Sequence, residues 1–186
     1  MKKQNKLGFF RKALIGLTAL VAGCSSSGFV TPNLGINFPK NRWLTEFDSA
    51  LTYGVRGGVK TKKGVEIEVG YRGHNTSYED AVQRNELEAN DLSIGVSYPV
   101  WSNGKVSVNV NGEVISHAEK EACWLIGIPG SELTENRSST GFGVGVGARF
   151  QAGKGSVDAR LTYEGFGEGG YEESGVRADV GYTFSF

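Results

Sequence analysis

Residues 174–186 read Ser-Gly-Val-Arg-Ala-Asp-Val-Gly-Tyr-Thr-Phe-Ser-Phe, and apolar and polar side chains alternate along the whole stretch. A period of two is typical of a β-strand with one apolar and one polar face. The stretch ends on an aromatic residue, Phe186, with no polar tail after it. In a strand that crosses a bilayer, an aromatic residue at this position lies at the membrane boundary. These residues therefore predict a strand whose apolar face contacts lipid.

The same alternation recurs along the chain, and no helical period of comparable strength follows residue 24. Each segment is close to the length that a strand needs to cross a bilayer, roughly nine to eleven residues. An eighth strand at 29–38 is required if all long connections are to lie on one side of the barrel. This strand contains Pro32, and proline is tolerated near the start of a strand. The sequence thus predicts an all-β fold, an eight-stranded antiparallel up-and-down transmembrane β-barrel. The other predicted strands lie near 51–60, 65–72, 92–98, 106–114, 142–150 and 157–164.

The connections alternate in length. Short turns are predicted at 62–64, at Asn103-Gly104 and at 153–154, whereas long polar segments run over about 73–90, 118–139 and 165–173. Short turns on one side and long loops on the other are typical of outer-membrane barrels, with the long loops outside the cell.

Turn chemistry also predicts the strand registers. A three-residue turn with glycine at its left-handed position pairs Lys60 with Glu66, and a two-residue type II′ turn pairs Arg149 with Asp158. Opposite charges at directly facing positions stabilise each other. A two-residue turn at Asn103-Gly104 would put the flanking strands out of phase, so a longer turn or a bulge near Pro99 is expected.

The N-terminus is typical of a targeting segment. Residues 1–12 carry five basic side chains and no acidic one, and 13–23 form an apolar run that is too short to span a bilayer. Val21-Ala22-Gly23-Cys24 resembles the lipobox of bacterial lipoproteins, in which the cysteine carries the lipid, and Ser25 in place of aspartate suggests the outer membrane. We expect a signal peptide at 1–23, a short lipid-anchored tether at 24–28 and a barrel at 29–186. The alternative is an ordinary signal peptide with a cysteine near its end.

Removing residues 1–23 changes the charge balance. The remaining chain has 15 basic and 20 acidic residues. An acidic chain lacks the basic face that nucleic acid requires, so no nucleic-acid partner is expected. Only Cys24 and Cys123 are cysteines, which excludes a disulfide framework.

The polar face of the predicted strands indicates which side is inside. The positive and negative charges on this face are nearly equal in number, which suits a narrow lumen filled by paired side chains. The opposite, apolar face carries aromatic residues towards the strand ends, as in membrane barrels. The alternative is a soluble lipocalin-like barrel with these charges on a solvated surface. The predicted signal peptide and the aromatic ends favour the membrane barrel. The predicted interior charges are Arg56, Glu66, Glu68, Arg72, Glu113, Arg149, Asp158, Arg160, Glu164, Arg177 and Asp179.

The last eight residues match a pattern of polar, glycine and spaced hydrophobic positions through Asp179, Gly181, Tyr182, Phe184 and Phe186. This resembles the β-signal that the barrel-assembly machinery recognises. As an architecture, the chain resembles the small eight-stranded outer-membrane barrels, such as the OmpA transmembrane domain and the OmpX/Ail/Lom group. The resemblance implies a monomer in outer-membrane lipid, with a role in adhesion, in binding a host or envelope component, or in envelope integrity.

Few residues suggest chemistry. His74 and His117 lie near Ser77 and Ser116, and some outer-membrane enzymes that modify lipid A use serine and histidine, so such an enzyme is one alternative. No third group in sequence register would orient either histidine, as nucleophilic catalysis usually needs. No cluster has metal-ligand spacing. We therefore expect no catalytic residue, metal or cofactor. A narrow pore is the other alternative, although eight strands leave an interior filled by side chains.

An apolar run interrupts the long polar segment at 118–139. It comprises residues 122–129 and includes Trp124, Leu125, Ile126 and Ile128. Exposed apolar surface in an external loop often marks a contact site. The alternatives are that the run binds a partner, folds onto the barrel rim or extends a strand.

Overall fold

Eight antiparallel strands form a closed barrel in the computed structural model, which describes residues 25–39, 49–79, 83–128, 130–168 and 171–186. Each strand pairs with the next along the chain, and the last pairs with the first, as the sequence predicted. The predicted signal peptide and Cys24 lie outside the described residues, and within them no helix is long and apolar enough to cross a membrane. The strands are β1 (Ser25–Pro39), β2 (Ala50–Thr61), β3 (Glu66–Glu79), β4 (Gln83–Ser102), β5 (Val106–Leu125), β6 (Leu133–Ala152), β7 (Gly155–Glu168) and β8 (Tyr171–Ser185).

The barrel closes between β1 and β8. The backbone N–H of Gly28 donates to the carbonyl of Phe186 at 2.8 Å, and the N–H of Phe186 donates back to Gly28 at 3.0 Å. Because β1 begins at Ser25, the residues 25–28 assigned to a tether belong to the barrel wall instead.

The predicted registers are confirmed. Lys60 faces Glu66 across the β2–β3 turn, and Arg149 faces Asp158 across the β6–β7 turn. Gly153 has a φ of 61°, as the first central residue of a type II′ turn requires. The register shifts between Pro99 and Trp101, which is the bulge expected there.

The outer face of the barrel is an apolar belt. Aliphatic side chains such as Leu34, Val144 and Val180 are more than half exposed at mid-strand. Aromatic side chains lie towards both ends of the belt, which matches the girdles of membrane barrels. We call the end with the short turns the turn end and the opposite end the loop end. Exposed aromatic residues of the belt are Phe38, Tyr53, Tyr71, Phe142 and Tyr163 towards the loop end, and Tyr98, Trp101, Phe150, Phe184 and Phe186 towards the turn end.

The predicted long loops are wrong for most of their length, because strands continue through them. β3 and β4 leave only residues 80–82 between them, β5 and β6 leave 126–132, and β7 and β8 leave 169–170. Strands β4, β5 and β6 each have 20 residues. A bilayer crossing needs only roughly nine to eleven residues, so about half of each strand extends beyond the belt. We call residues 75–79, 83–90, 118–125 and 133–139 the projection.

Sequence reasoning missed the projection because it does not repeat the apolar-outward alternation of the belt. Outward positions beyond the belt, such as Glu86, Glu88 and Lys120, are charged, so the apolar face that marks the barrel strands is lost. A weaker signal with inverted phase was present. Leu87 and Ala89 alternate with those glutamates and point inwards, and Ala89 is fully buried.

Candidate functional site

The barrel interior holds all eleven predicted charges, and they form two clusters. The cluster nearer the turn end is centred on Asp158. This carboxylate accepts hydrogen bonds from Arg56 at 2.9 Å, from Arg149 at 2.9 Å and from Arg160 at 3.2 Å. Each of the last two arginines also binds a glutamate of β3 in a bidentate pair, Arg149 with Glu66 and Arg160 with Glu68.

The cluster nearer the loop end is centred on Glu164. Arg72 donates to this carboxylate at 2.9 Å, and Arg177 also donates to it. Arg177 donates further to Glu113 at 2.8 Å and to Asp179 at 2.6 Å. Many of these pairs join strands that are not neighbours, so the interior side chains tie opposite walls of the barrel together.

Phe29 adds an apolar element to the interior near the turn end. Its ring is 3% exposed, and the guanidinium carbon of Arg149 lies 6.0 Å from the ring centroid. The lumen is therefore filled by ion pairs and one aromatic ring in the half that is nearer the turn end.

Sequence reasoning missed a third group of interior residues near the loop end. His117 is buried rather than at a loop edge. Its Nδ1 lies 2.5 Å from Oδ1 of Asp91 and its Nε2 lies 3.2 Å from Oε2 of Glu119. Arg72 also donates to Asp91, which joins this group to the Glu164 cluster. The expectation that no third group orients the histidine is wrong for His117, because β4 supplies Asp91 from 26 residues away.

The serines named with the histidines lie on the other side of the wall. Ser116 and Ser77 occupy outward positions of β5 and β3, whereas His117 and His74 point into the barrel. His74 stacks with His117 at 6.3 Å between ring centroids. Within the described residues, no group of three His, Cys, Asp or Glu side chains has the geometry to hold a metal ion.

The apolar run lies at the tip of the projection. Residues 122–125 extend β5, while Ile126 and Ile128 lie in the connection to β6 and are 49% and 57% exposed. The tip turn is closed by hydrogen bonds from the N–H of Ile128 to the carbonyl of Leu125 at 3.2 Å and from the N–H of Leu125 to Oγ of Ser131 at 3.0 Å. Trp124 is half-buried and Leu125 is exposed. The run thus both extends a strand and exposes apolar side chains at its end.

The projection has an open edge along β6. Strand β7 pairs with β6 only from Thr140 onwards and ends at Glu168. In the part of the chain that the structure describes, residues 133–139 are therefore paired on one side only, with β5. An unpaired edge presents a row of backbone N–H and C=O groups that another strand can bind.

Charges fix the side chains of this edge. Arg137 donates to Glu135 at 2.7 Å and lies 3.7 Å from both Glu119 and Glu121 of β5. The hydrogen bond from His117, with the charges of His117 and Arg137, lowers the pKa of Glu119, although burial opposes this shift. The projection is acidic, with Glu79, Glu86, Glu88, Glu119, Glu121 and Glu135 against Arg84, Lys120 and Arg137.

Comparison with known proteins shows similarity at the level of fold. No protein-family model and no curated protein matches the chain. Among solved structures, Neisserial surface protein A aligns with a TM-score of 0.67 at 12% identity, covering 86% of this chain and 97% of that one. A major outer-membrane protein of Thermus thermophilus aligns with a TM-score of 0.61 at 12% identity, covering 86% of this chain and 99% of its own. The attachment invasion locus protein Ail of Yersinia pestis aligns with a TM-score of 0.59 at 14% identity, covering 87% and 99% of the two chains.

The chain thus has the fold of the small eight-stranded outer-membrane barrels. It resembles them over their whole length. At these identities the likeness concerns the fold, and the function has to be argued from this chain's own residues.

Proposed function

We propose that this protein is an outer-membrane barrel whose projection binds another macromolecule at the cell surface. In this proposal the belt lies in the outer membrane, the loop end faces the exterior and Cys24 carries a lipid anchor. The barrel is inserted by the barrel-assembly machinery through the Asp179–Phe186 signal and works as a monomer. The fold and the apolar belt support the membrane location.

The observation that carries the proposal is the exposed apolar tip. Ile126, Ile128 and Leu133 expose between 49% and 74% of their surface at the end of a paired sheet, far from the lipid that the belt contacts. These side chains are held by a sheet that is continuous with the barrel. Such preorganisation reduces the loss of conformational entropy on binding. The open β6 edge beside the tip adds backbone groups that an extended segment of a partner can pair with.

The charge of the projection limits the partner. A structure of Ail has been determined with the heparin analogue sucrose octasulfate, a polyanion. In this chain the projection has six acidic and three basic residues, which disfavours a polyanionic ligand. We propose a protein partner that offers an apolar pocket and a neutral or basic rim.

An adhesion assay tests the proposal. Bacteria that express the wild type are compared with an Ile126→Ser/Ile128→Ser variant for attachment to cultured epithelial cells. Burial of two isoleucine side chains contributes enough binding free energy that their loss should reduce attachment about tenfold or more. Lys120→Gln, on the same sheet but away from the tip, serves as control and should attach as the wild type does. Equal attachment by the tip variant would refute the proposal.

We further propose that the protein is not an enzyme that modifies lipid A. His117 has an orienting carboxylate, but both named serines lie on the opposite face of their strands. Mass spectra of lipid A from cells with the wild type and with His117→Gln should be identical. A wild-type-dependent change of lipid A mass that His117→Gln abolishes would establish the enzyme instead.

A narrow pore is also disfavoured. Ion pairs tie the barrel walls together in both halves of the lumen. Bilayers containing the purified protein should show no large stable conductance, and such a conductance would contradict the filled interior.

A further inference from the structure

The turn end carries a set of exposed basic side chains that the surface-binding role does not use. Lys62, Lys63, Lys105 and Lys154 lie in the three short turns and are all exposed. The described residues 57–66, 98–109 and 148–157 contain one acidic residue, Glu66, and it is 3% exposed and bound to Arg149. The exposed surface at this end is therefore basic, in contrast to the acidic projection.

Backbone and side-chain contacts hold these turns against the aromatic end of the belt. The N–H of Gln151 donates to the carbonyl of Lys105 at 2.8 Å, which places this lysine beside Phe150. The 153–154 turn is fixed by the hydroxyl of Tyr182, which donates to the carbonyl of Ala152 at 2.8 Å. A side-chain carbon added at Gly64 would lie 3.1 Å from Pro99, so the 62–64 turn packs on β4.

The depth of the lysines follows from these contacts. Trp101 and Phe150 are exposed aromatic residues of the belt, and Lys105 and Lys154 each follow one of them by four residues. Aromatic girdles lie at the headgroup level of a bilayer, and lysine stems extend past such girdles to bring the ammonium to the phosphates. With the belt in a bilayer, Lys105 and Lys154 are thus at the depth of lipid phosphate groups, and Lys62 and Lys63 belong to a turn that packs on Pro99 at the same end.

We propose that Lys62, Lys63, Lys105 and Lys154 form a binding surface for anionic phospholipid headgroups in the leaflet at the turn end. The proposal rests on the membrane location given above, but not on the surface-binding role of the projection. An ammonium group pairs with a lipid phosphate as a point charge, and an anionic headgroup lacks the ammonium or choline charge that would oppose it. The lysines lie in three separate turns, so more than one lipid headgroup can bind at this end of the barrel.

The test measures lipid retention by the folded barrel. The full barrel is reconstituted in nanodiscs with equal amounts of phosphatidylglycerol and phosphatidylcholine, released into detergent and examined by native mass spectrometry for each lipid that stays bound. The wild type should retain phosphatidylglycerol preferentially. In Lys62→Gln/Lys63→Gln/Lys105→Gln/Lys154→Gln this preference should disappear, with a loss of roughly fivefold in apparent affinity for each lysine in contact with a headgroup. High salt should reduce the wild-type preference in the same direction.

Single substitutions provide a matched control. Lys105→Gln at the turn end should lower the preference measurably, whereas Lys120→Gln on the projection should leave it unchanged. Heat-dependent mobility in electrophoresis checks that every variant is folded and inserted. If the quadruple variant does not fold, Lys62→Gln/Lys63→Gln carries the test, because both side chains are exposed.

Three results would overturn the proposal. They are an unchanged preference in the folded lysine variants, an equal loss caused by Lys120→Gln, and an equal loss of phosphatidylcholine. Co-sedimentation with peptidoglycan that depends on the lysines, with lipid preference unchanged, would assign this surface to the cell wall instead. A barrel that does not insert into nanodiscs at all would refute the membrane location itself, which distinguishes that failure from the absence of lipid selectivity.

Discussion

The barrel wall and the projection are built from the same strands but are stabilised in different ways. Inside the belt, outward positions are apolar and inward positions hold ion pairs, so β6 alternates Phe142, Val144 and Val146 with glycines. Beyond the belt, β6 has exposed polar residues on both faces, and Arg137 pairs with glutamates in contact with solvent. Pairing among β3, β4, β5 and β6 is continuous through both regions, so the difference lies in what surrounds their side chains.

Because of this difference, the stability of the protein should depend mainly on the wall, and a binding surface can be carried by the projection. Removing one partner of a buried ion pair leaves an uncompensated charge, whereas exposed pairs contribute little. The wall should therefore respond strongly to single changes, and the projection should tolerate them without unfolding. A region that tolerates change is the one in which a binding surface can vary.

The largest effect is expected at the centre of the turn-end ion-pair cluster. Asp158→Ala leaves Arg56, Arg149 and Arg160 without a shared carboxylate. The free energy of unfolding should fall by about 3–5 kcal/mol, measured by urea unfolding in lipid vesicles. Glu135→Ala on the projection should leave the unfolding midpoint unchanged. Similar losses in the two variants would remove the distinction between wall and projection.

The second-largest effect is expected from a charge placed on the outer face, which should destabilise the barrel wall but not the projection. Val144 is 53% exposed at mid-belt, and Val144→Arg should lower the free energy of unfolding by about 2–4 kcal/mol because arginine enters the hydrocarbon. Asn136→Arg, on the outward face of the same strand in the projection, should change it by no more than about 0.5 kcal/mol. The same urea unfolding assay measures both. Equal effects would mean that the belt does not contact lipid.

The seam between β1 and β8 should show a smaller effect. A side-chain carbon at Gly181 would lie 2.5 Å from the carbonyl oxygen of Pro32, which belongs to the backbone and cannot rotate away. Gly181→Ala should cost about 1–3 kcal/mol through this overpacking, seen as a lower temperature for the mobility shift in electrophoresis. Gly112→Ala is the control, because no atom lies within 4 Å of the added carbon. An unchanged transition temperature in Gly181→Ala would show that β1 and β8 can separate enough to accommodate the added methyl group.

The smallest effect is a pH dependence of the projection. The hydrogen bond from His117 lowers the pKa of Glu119 in the folded state below its ordinary value of 4.5. A lowered carboxyl pKa contributes stability that is present above the unfolded pKa and is lost as pH falls through the folded one. Amide exchange of residues 118–125, relative to the belt, should therefore accelerate below about pH 4.5. In Glu119→Gln this extra acceleration should vanish. An identical pH profile in both proteins would contradict the role of Glu119.

The sequence determined the wall of the barrel almost completely. The period of two, the paired charges at Lys60 and Glu66 and the misfit at Asn103-Gly104 gave the strands, the register and the bulge, because each depends on residues that are close along the chain. The interior charges were identifiable because the apolar residues of each strand occupy one face, which leaves the charged residues on the other. The apolar run at 122–129 could also be identified, because it interrupts a segment that is otherwise polar.

Only the tertiary structure decided the features that depend on distant strands. Asp91 and His117 lie 26 residues apart, and the barrel alone brings them into contact. The projection was missed because its outward positions are charged, and because the inverted alternation at Leu87 and Ala89 is short. Residues 25–28 also belong to the wall only through distant partners: Ser25 and Ser27 pair with β2, and Gly28 bonds to Phe186 at the end of the last strand.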